Sequence, residues 1–364
     1  MPPHNISLES YERPDLAPRT SAELGGQSLA ALTKTKNIAM TWLAAVGIAA
    51  LYAGGLYCIV QPRIVPAFGI ILLSEAMIMA WYLSHDAAHY LAFRQKWSNM
   101  LLGAILSWPI GTAYFPFEEY RLNHIRHHVE KIDIIGFDVQ EFINKLSPFW
   151  RGALAVAEGV YIPAIFFIVK IQGIVEVLKS KGADRRRAIV AGFGYGLFFL
   201  AIMYASPAAI AWMCIAVLIR IHCIRFVDAF QHTYDQIPQD RTIEKRSRQY
   251  EQNNTFSFPV FRKYPVLNLI FLNFGYHNAH HAAPGCPWYR LPKADSILAK
   301  GLNEVNSSTL YSCTPQIGFW EILSNYHRHR INRLIKYDQE NVCDEGGIFS
   351  FHQFRGALTD NLLG

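Results

Sequence analysis

Charge is scarce in this chain. Asp, Glu, Lys and Arg make up 17% of its 364 residues, against roughly 25% in ordinary soluble domains. The net charge of +6 is small and dispersed among apolar runs, which argues against a nucleic-acid partner. None of the six cysteines (Cys58, Cys214, Cys223, Cys286, Cys313, Cys343) falls in a C-x-x-C pair. That excludes a zinc knuckle or an iron–sulfur cluster, and their scatter through the chain excludes a disulfide framework. No G-x-G-x-x-G follows a strand-like run, and no haem-binding segment is fused to the chain. The glycines of Gly192-Phe193-Gly194-Tyr195-Gly196 sit inside an apolar run and read as helix packing. Residues 1–36 are polar, carry Pro2, Pro3, Pro14 and Pro18, and lack the charged-then-apolar plan of a signal peptide; they read as a flexible tail.

What the chain has in quantity is apolar length. Hydrophobic residues make up 51% of it, and the mean hydropathy of +0.12 is on the membrane side of zero. A membrane crossing needs about 20 mostly apolar residues, and four segments fit: 37–60, 64–84, 188–205 and 208–224. Gln61-Pro62-Arg63 turns the first pair and Ser206-Pro207 the second, so the expected fold is all-α and integral to the membrane. It has four transmembrane helices in two hairpins, within a domain spanning residues 37–300, followed by a C-terminal cytosolic tail over 301–364. Lys34, Lys36, Lys179, Lys181, Arg185, Arg186, Arg187 and Arg225 flank one side of the spans and little beyond Arg63 the other. The positive-inside rule then makes both termini and the long loops cytoplasmic. Three further apolar runs, 100–117, 153–169 and 266–276, are assigned to the interface or to a helical cap, because an extra crossing would separate the histidine groups described next.

Eight of the fourteen histidines fall in three tight groups. His85 and His89 stand in H-x-x-x-H, directly after the second span. His124, His127 and His128 form one H-x-x-H-H, and His277, His280 and His281 another. Residues at i, i+3 and i+4 of a helix share a face, so each group projects two or three imidazoles the same way. At this histidine content a single H-x-x-H-H arises by chance in roughly one chain in fifty; two, with a third pair on the same side, mark a metal centre. Eight imidazoles exceed what one four-coordinate zinc takes and suit two metals of higher coordination number. Imidazole serves zinc, copper, iron and nickel alike, so residue type leaves the metal open. A fourth candidate group is Asp228 with His232, at i and i+4 after the last span. His222 reads as structural, His327 and His329 as a basic surface strip, and His4 and His352 as exposed.

In order, spacing and span pattern these groups resemble the histidine boxes of the membrane fatty acid desaturase and hydroxylase superfamily. The run from Asn273 to His281, followed by Pro287-Trp288-Tyr289-Arg290-Leu291-Pro292, resembles its desaturase branch. The resemblance implies a cytosolic cap holding two non-haem irons, with His85, His89, His124, His127, His128, His277, His280 and His281 as ligands. In acyl-CoA desaturases of the superfamily a further histidine after the last span binds metal, and an Asn four residues earlier reaches iron through water. His232 matches that histidine. Asp228 stands in place of the Asn, where it either contacts iron directly or orients a histidine. Asp86 and Asn278, inside boxes, and Asp133 and Asp138, just past the second, are candidates to hydrogen-bond ring N–H groups and fix their tautomers.

The implied chemistry is O2-dependent oxidation of a lipid acyl chain, with O2 as co-substrate and the bilayer as medium. Electrons would come from a separate donor, a ferredoxin or a b-type cytochrome with its reductase. Two alternatives stand beside it. One is a hydroxylase or ketolase acting on a carotenoid, alkane or sterol, which the boxes do not separate from a desaturase. The other is a metal transporter, which would place its ligands near the bilayer midplane rather than beyond the span ends.

Overall fold

The computed structural model describes residues 29–34, 36–61, 65–228, 231–232, 234–241, 243–261, 263–305, 323–324, 326–328 and 331. Most of both expected tails, part of the Gln61-Pro62-Arg63 turn, and His4, His329 and His352 lie outside these residues. In chain order, α1 (Leu29–Thr33) precedes α2 (Ile38–Val60), α3 (Pro66–Ala88), α4 (Lys96–Ile110) and α5 (Phe117–Arg126). α5 runs on as a single π-helical turn, His127–Lys131, into strand β1 (Asp133–Ile135). Then come α6 (Val139–Lys145), α7 (Pro148–Gly159), α8 (Ala164–Lys179), α9 (Ala183–Ala205) and α10 (Pro207–Asp228). Strand β2 (Gln236–Pro238), α11 (Arg248–Asn254), a 3-10 turn at Pro265–Phe271, α12 (His277–Ala282) and α13 (Leu291–Val305) complete the described order.

Four helices, α2, α3, α9 and α10, are long and apolar enough to cross a membrane, at 22 or 23 residues each. α2 starts where the Asn37 side chain accepts the Ala39 N–H at 3.1 Å, and α3 starts on Pro66, whose missing N–H costs nothing in a first turn. α2 and α3 approach closely because Gly55 and Gly69 face each other's helix: a Cβ on Gly55 would come within 2.7 Å of the Leu73 side chain, and one on Gly69 within 2.7 Å of Ile59. α3 is the buried centre of the bundle and packs against α2, α4 and α10. α9 is the opposite case, with Phe193, Leu197, Leu200 and Tyr204 exposed; in its glycine run only Gly194 packs closely, against Trp108, while Gly192 and Gly196 face open space.

Two spans extend past their expected ends. α3 continues from residue 84 through Ala88, and α10 from residue 224 through Asp228. The polar residues that mark the end of apolar sequence are still helical, because they turn into a polar interior instead of solvent. The run expected over 153–169 is a broken pair, α7 and α8, bent by 110°. α10 grips the bend: Arg225 Nη1 donates to Glu158 Oε2 at 3.2 Å, Ile165 N–H to Glu158 Oε1 at 3.1 Å, and His222 Nε2 lies 2.8 Å from the Tyr161 carbonyl. Arg225 is therefore a buried ion-pair partner and not a free flanking charge. His327 also meets Tyr161, with Nδ1 3.2 Å from its hydroxyl, and so is half-buried and not part of a surface strip.

The N-terminal tail expected over 1–36 is shorter at its C-terminal end. Leu29 and Leu32 of α1 are buried against Tyr276, Ala279 and Ala283, on the back of α12. The boundary expected at residue 300 falls inside α13, and Tyr326 is buried beside Phe226.

Candidate metal centre

The elements carrying the three boxes are drawn together by a few polar ties. Asp86 Oδ2 accepts the Trp288 backbone N–H at 3.1 Å, and Asn273 Nδ2 donates to the Trp288 carbonyl at 3.3 Å, which fixes the segment after the third box against the first. The parallel pairing of β1 with β2, Asp133 opposite Gln236, holds the exit of the second box beside the segment after α10. Arg126, within the second box, grips Glu130 through Nε and Nη2, both at 3.0 Å, and donates to the carbonyls of Gln239 and Arg241 at 2.9 and 2.8 Å. An isolated bridge between His232 and Thr255 completes the frame.

Within it, the nine histidines singled out from the sequence converge in two groups, His85, His89, His124, His128 and His280, and His127, His232, His277 and His281, with ligand atoms within 4.8 Å of one another in each. In the first, His124 Nε2 lies 2.7 Å from His89 Nε2 and 3.1 Å from His128 Nε2, which is 3.1 Å from His280 Nε2. In the second, His232 Nε2 lies 2.8 Å from His281 Nε2 and 2.9 Å from His277 Nε2, and His127 Nε2 lies 3.3 Å from His281 Nε2. A neutral imidazole has one N–H, so such chains of contacts cannot all be hydrogen bonds. Nitrogens bound about 2.1 Å from a common ion at right angles lie about 3.0 Å apart, the spacing a metal centre demands. Both ring nitrogens of His85 are buried without a hydrogen-bond partner among the described residues, as a ligand stripped of its ion would be. The donor set therefore fits two metal ions.

The division between the groups follows helix geometry with one twist. The i, i+4 pairs stay together: His85 with His89, His124 with His128, His277 with His281. The middle histidine of each H-x-x-H-H crosses over, His127 to the second group and His280 to the first. His127 opens a π-helical turn, a local widening that recurs at functional sites, whereas His280 crosses over on the ordinary helix α12. Of the two or three imidazoles that each box is expected to project the same way, the i, i+4 pair does so.

Burial is the dominant electrostatic influence. Desolvation pushes the His89 imidazolium down to about 3, and holds His124, His128, His232, His277, His280 and His281 well below the usual histidine range, helped by neighbouring imidazoles. The rings are thus neutral, the form that binds metal.

Of the four candidates for orienting the rings, one has its carboxylate beside a ring nitrogen. Asp133 Oδ1 lies 3.3 Å from His127 Nδ1, which also faces the Ile132 carbonyl at 2.7 Å. Asp86 Oδ1 is 4.0 Å from His85 Nδ1, too far for a hydrogen bond, and its other oxygen ties the third-box segment instead. Asn278 is held by its backbone N–H to Ser257 Oγ at 3.2 Å and makes no side-chain bond to a histidine among the described residues. Asp138 caps α6, accepting the Glu141 N–H at 2.8 Å, because its carboxylate is at a helix start where free N–H groups need acceptors. Asp228 is in neither group of converging atoms; its charge, with burial, holds the Tyr120 hydroxyl above its usual range. His222 is likewise outside both.

Two participants had no sequence signal strong enough to find them. Glu251 Oε1 lies 3.2 Å from His281 Nδ1, although Glu251 is in a polar stretch thirty residues upstream of it. Burial raises its carboxyl, and Lys131 and Arg248 counter that. Tyr234 stacks on His232 with centroids 4.6 Å apart, and its hydroxyl pairs with Thr255 Oγ1 at 2.7 Å. A small cavity of about 20 Å³ lies beside the first group. Trp81, Ser84, Ile110, Phe117 and Tyr120 are among its lining residues, and the Tyr120 ring stacks on His124 at 6.0 Å.

No curated protein and no solved structure matches the chain. Residues 62–311 match the family model described as fatty acid desaturase, a stretch that contains all nine converging histidines and more than half of the chain. A membrane-spanning helical bundle, two histidine groups fit for metal and that match lead to one conclusion: this chain belongs to the fatty acid desaturase family.

Proposed function

We propose that this protein is a membrane di-iron fatty acid desaturase that removes two hydrogens from a lipid acyl chain at the expense of O2. The observation that carries the reading is the convergence of nine imidazoles, seven of them buried and two half-buried, in two groups. Iron is the metal inferred, since two redox-active ions in an all-histidine shell leave positions open for oxygen, whereas zinc carries no redox chemistry. Bound there, two irons supply the reduction of O2 and the oxidising power to break an unactivated C–H bond. The balance is one acyl CH2–CH2 unit, O2, two electrons and two protons giving one CH=CH unit and two waters.

The chain's own residues do the rest. His85, His89, His124, His128 and His280 would hold one iron, and His127, His232, His277 and His281 the other. Asp133 and the Ile132 carbonyl keep His127 with Nδ1–H outward and Nε2 inward. Trp81, Ile110, Phe117 and Tyr120 line a small cavity beside the first group, where an acyl chain would have to approach, and Tyr120 stacks on His124. Electrons come from a separate carrier, a ferredoxin or a b-type cytochrome with its reductase. With lysine and arginine marking the cytoplasmic side, both termini and the metal centre face the cytoplasm.

Lipid profiling of a host expressing the chain tests the activity. A new unsaturated acyl species, absent with a His85→Ala variant, is expected. An alcohol or ketone of a carotenoid, alkane or sterol as the sole new product would overturn the desaturase assignment. For orientation, a cysteine introduced at Ser206 in a cysteine-free background is expected to react with an impermeant maleimide in intact cells, and one at Ser180 is not. Labelling at Ser180 and not at Ser206 would make the bent α7–α8 pair a true crossing and sink the orientation.

A further inference from the structure

The two histidine groups differ in what stands behind the rings. In the four-histidine group, Glu251 Oε1 is 3.2 Å from His281 Nδ1 and Asp133 Oδ1 is 3.3 Å from His127 Nδ1. In the five-histidine group the Nδ1 atoms of His85, His124 and His128 are buried with no hydrogen-bond partner among the described residues. Asp86, next to His85 in sequence, is 4.0 Å from His85 Nδ1 and engaged by Trp288. Imidazole ligands bring no negative charge to balance two metal cations, so a carboxylate reaching a ring is electrostatically conspicuous, and Glu251 and Asp133 both serve the four-histidine group.

We infer that Glu251 is a positioning residue that sets the four-histidine position apart from the five-histidine one. The inference rests on the reading of the two groups as a two-iron centre. By accepting the Nδ1–H of His281, Glu251 fixes the tautomer that turns Nε2 inward, where it lies 2.8 Å from His232 Nε2 and 3.3 Å from His127 Nε2. Its negative charge makes that ring a stronger donor, and such outer partners govern metal affinity and redox behaviour. The four-histidine position has one ligand fewer, and the anionic backing offsets that deficit and favours the higher oxidation state there.

The surroundings are built to hold Glu251 in place. It is in the first turn of α11, whose cap Ser247 accepts the Tyr250 N–H at 3.1 Å. At its far end α11 leads to Thr255, which bridges His232 in backbone pairing and bonds the Tyr234 hydroxyl at 2.7 Å. The seven-residue α11 supplies no ligand itself, yet both its ends are tied to the four-histidine group.

The test uses the full chain, purified and loaded with 57Fe. Wild-type protein is expected to show two Mössbauer doublets of equal area. Glu251→Gln keeps an acceptor for Nδ1–H and removes the charge; it should retain both irons and move one doublet only. Glu251→Ala removes acceptor and charge, and should weaken one of the two irons by 10- to 100-fold in chelator competition, the range for losing an outer partner. Asp138→Ala, a carboxylate removed at the cap of α6, should change neither readout. Both doublets moving together in Glu251→Gln, or both irons leaving Glu251→Ala at the wild-type chelator concentration, overturns the role of Glu251. A wild-type chain holding no iron pair overturns the two-iron reading itself, before any variant is compared.

Discussion

The five-histidine group stands almost wholly on helices, and the four-histidine group hangs partly on irregular chain. His85 is in the last turn of α3, the buried centre of the bundle, with His89 at its cap, while His124 and His280 are on α5 and α12. In the other group His232 follows α10 in extended chain, steadied by one bridge to Thr255 and by the stack of Tyr234. Where a rigid helix presents the ligands, sequence spacing alone puts them together. Where the ligand is on a loop, Tyr234 stacks on it, and Glu251 and Asp133 stand behind His281 and His127 of the same group.

That contrast breaks first under ligand deletion. His232→Ala leaves three imidazoles in its group, whereas His89→Ala leaves four in the other. Both variants are expected to lose product formation, by about 100-fold or more, beyond what outer partners cost. Only His232→Ala should fall toward one iron per chain, read by metal analysis at matched expression. Equal iron loss from both would erase the distinction. Next in size is Asp133→Ala, which frees the His127 Nδ1–H of its carboxylate and should cost about 10-fold in turnover, the low end for an outer partner because the Ile132 carbonyl remains.

Acidity sharpens the picture in the metal-free protein. The folded-state pKa values of the buried histidines are depressed, with His89 at about 3, so the unfolded chain binds more protons below its own histidine pKa of about 6.5. Stability is present above that pH and is lost as pH falls below it. The thermal midpoint of metal-depleted protein should drop between pH 7.5 and pH 5.5, and that of iron-loaded protein should drop further, because acid also competes for the ligands. A flat metal-depleted profile would mean that the rings are not buried as a set.

The smallest effects belong to residues that share the chemistry of the site but not its place. His222→Ala removes the contact with the Tyr161 carbonyl and should cost about 1 kcal/mol of stability, with iron content near wild type. Asp138→Ala removes a helix cap at a similar cost of about 1 kcal/mol, with normal turnover. Asp228→Asn should keep both irons, since that carboxylate is in neither group.

The spans and the histidines were legible because both obey short-range rules: apolar length for α2, α3, α9 and α10, and i, i+4 spacing for three ligand pairs. What sequence could not convey depends on contacts between distant segments. The π-helical turn that opens at His127 is held by Arg126, whose partners Gln239 and Arg241 are more than a hundred residues away. Glu251 reaches His281 across thirty residues, and Asp86 finds Trp288 across two hundred and two. Asp138 looked like Asp133 in sequence, five residues apart, and only the start of α6 between them and the rings separates a cap from a ring partner. Leu29 and Leu32 looked like tail residues because two leucines have no periodicity to report until the back of α12 receives them.

Metal stoichiometry tests the central claim most directly. Full-length protein purified after expression in iron-rich medium is predicted to hold about two irons per chain, one for each histidine group. A single tightly held zinc with no iron would contradict it.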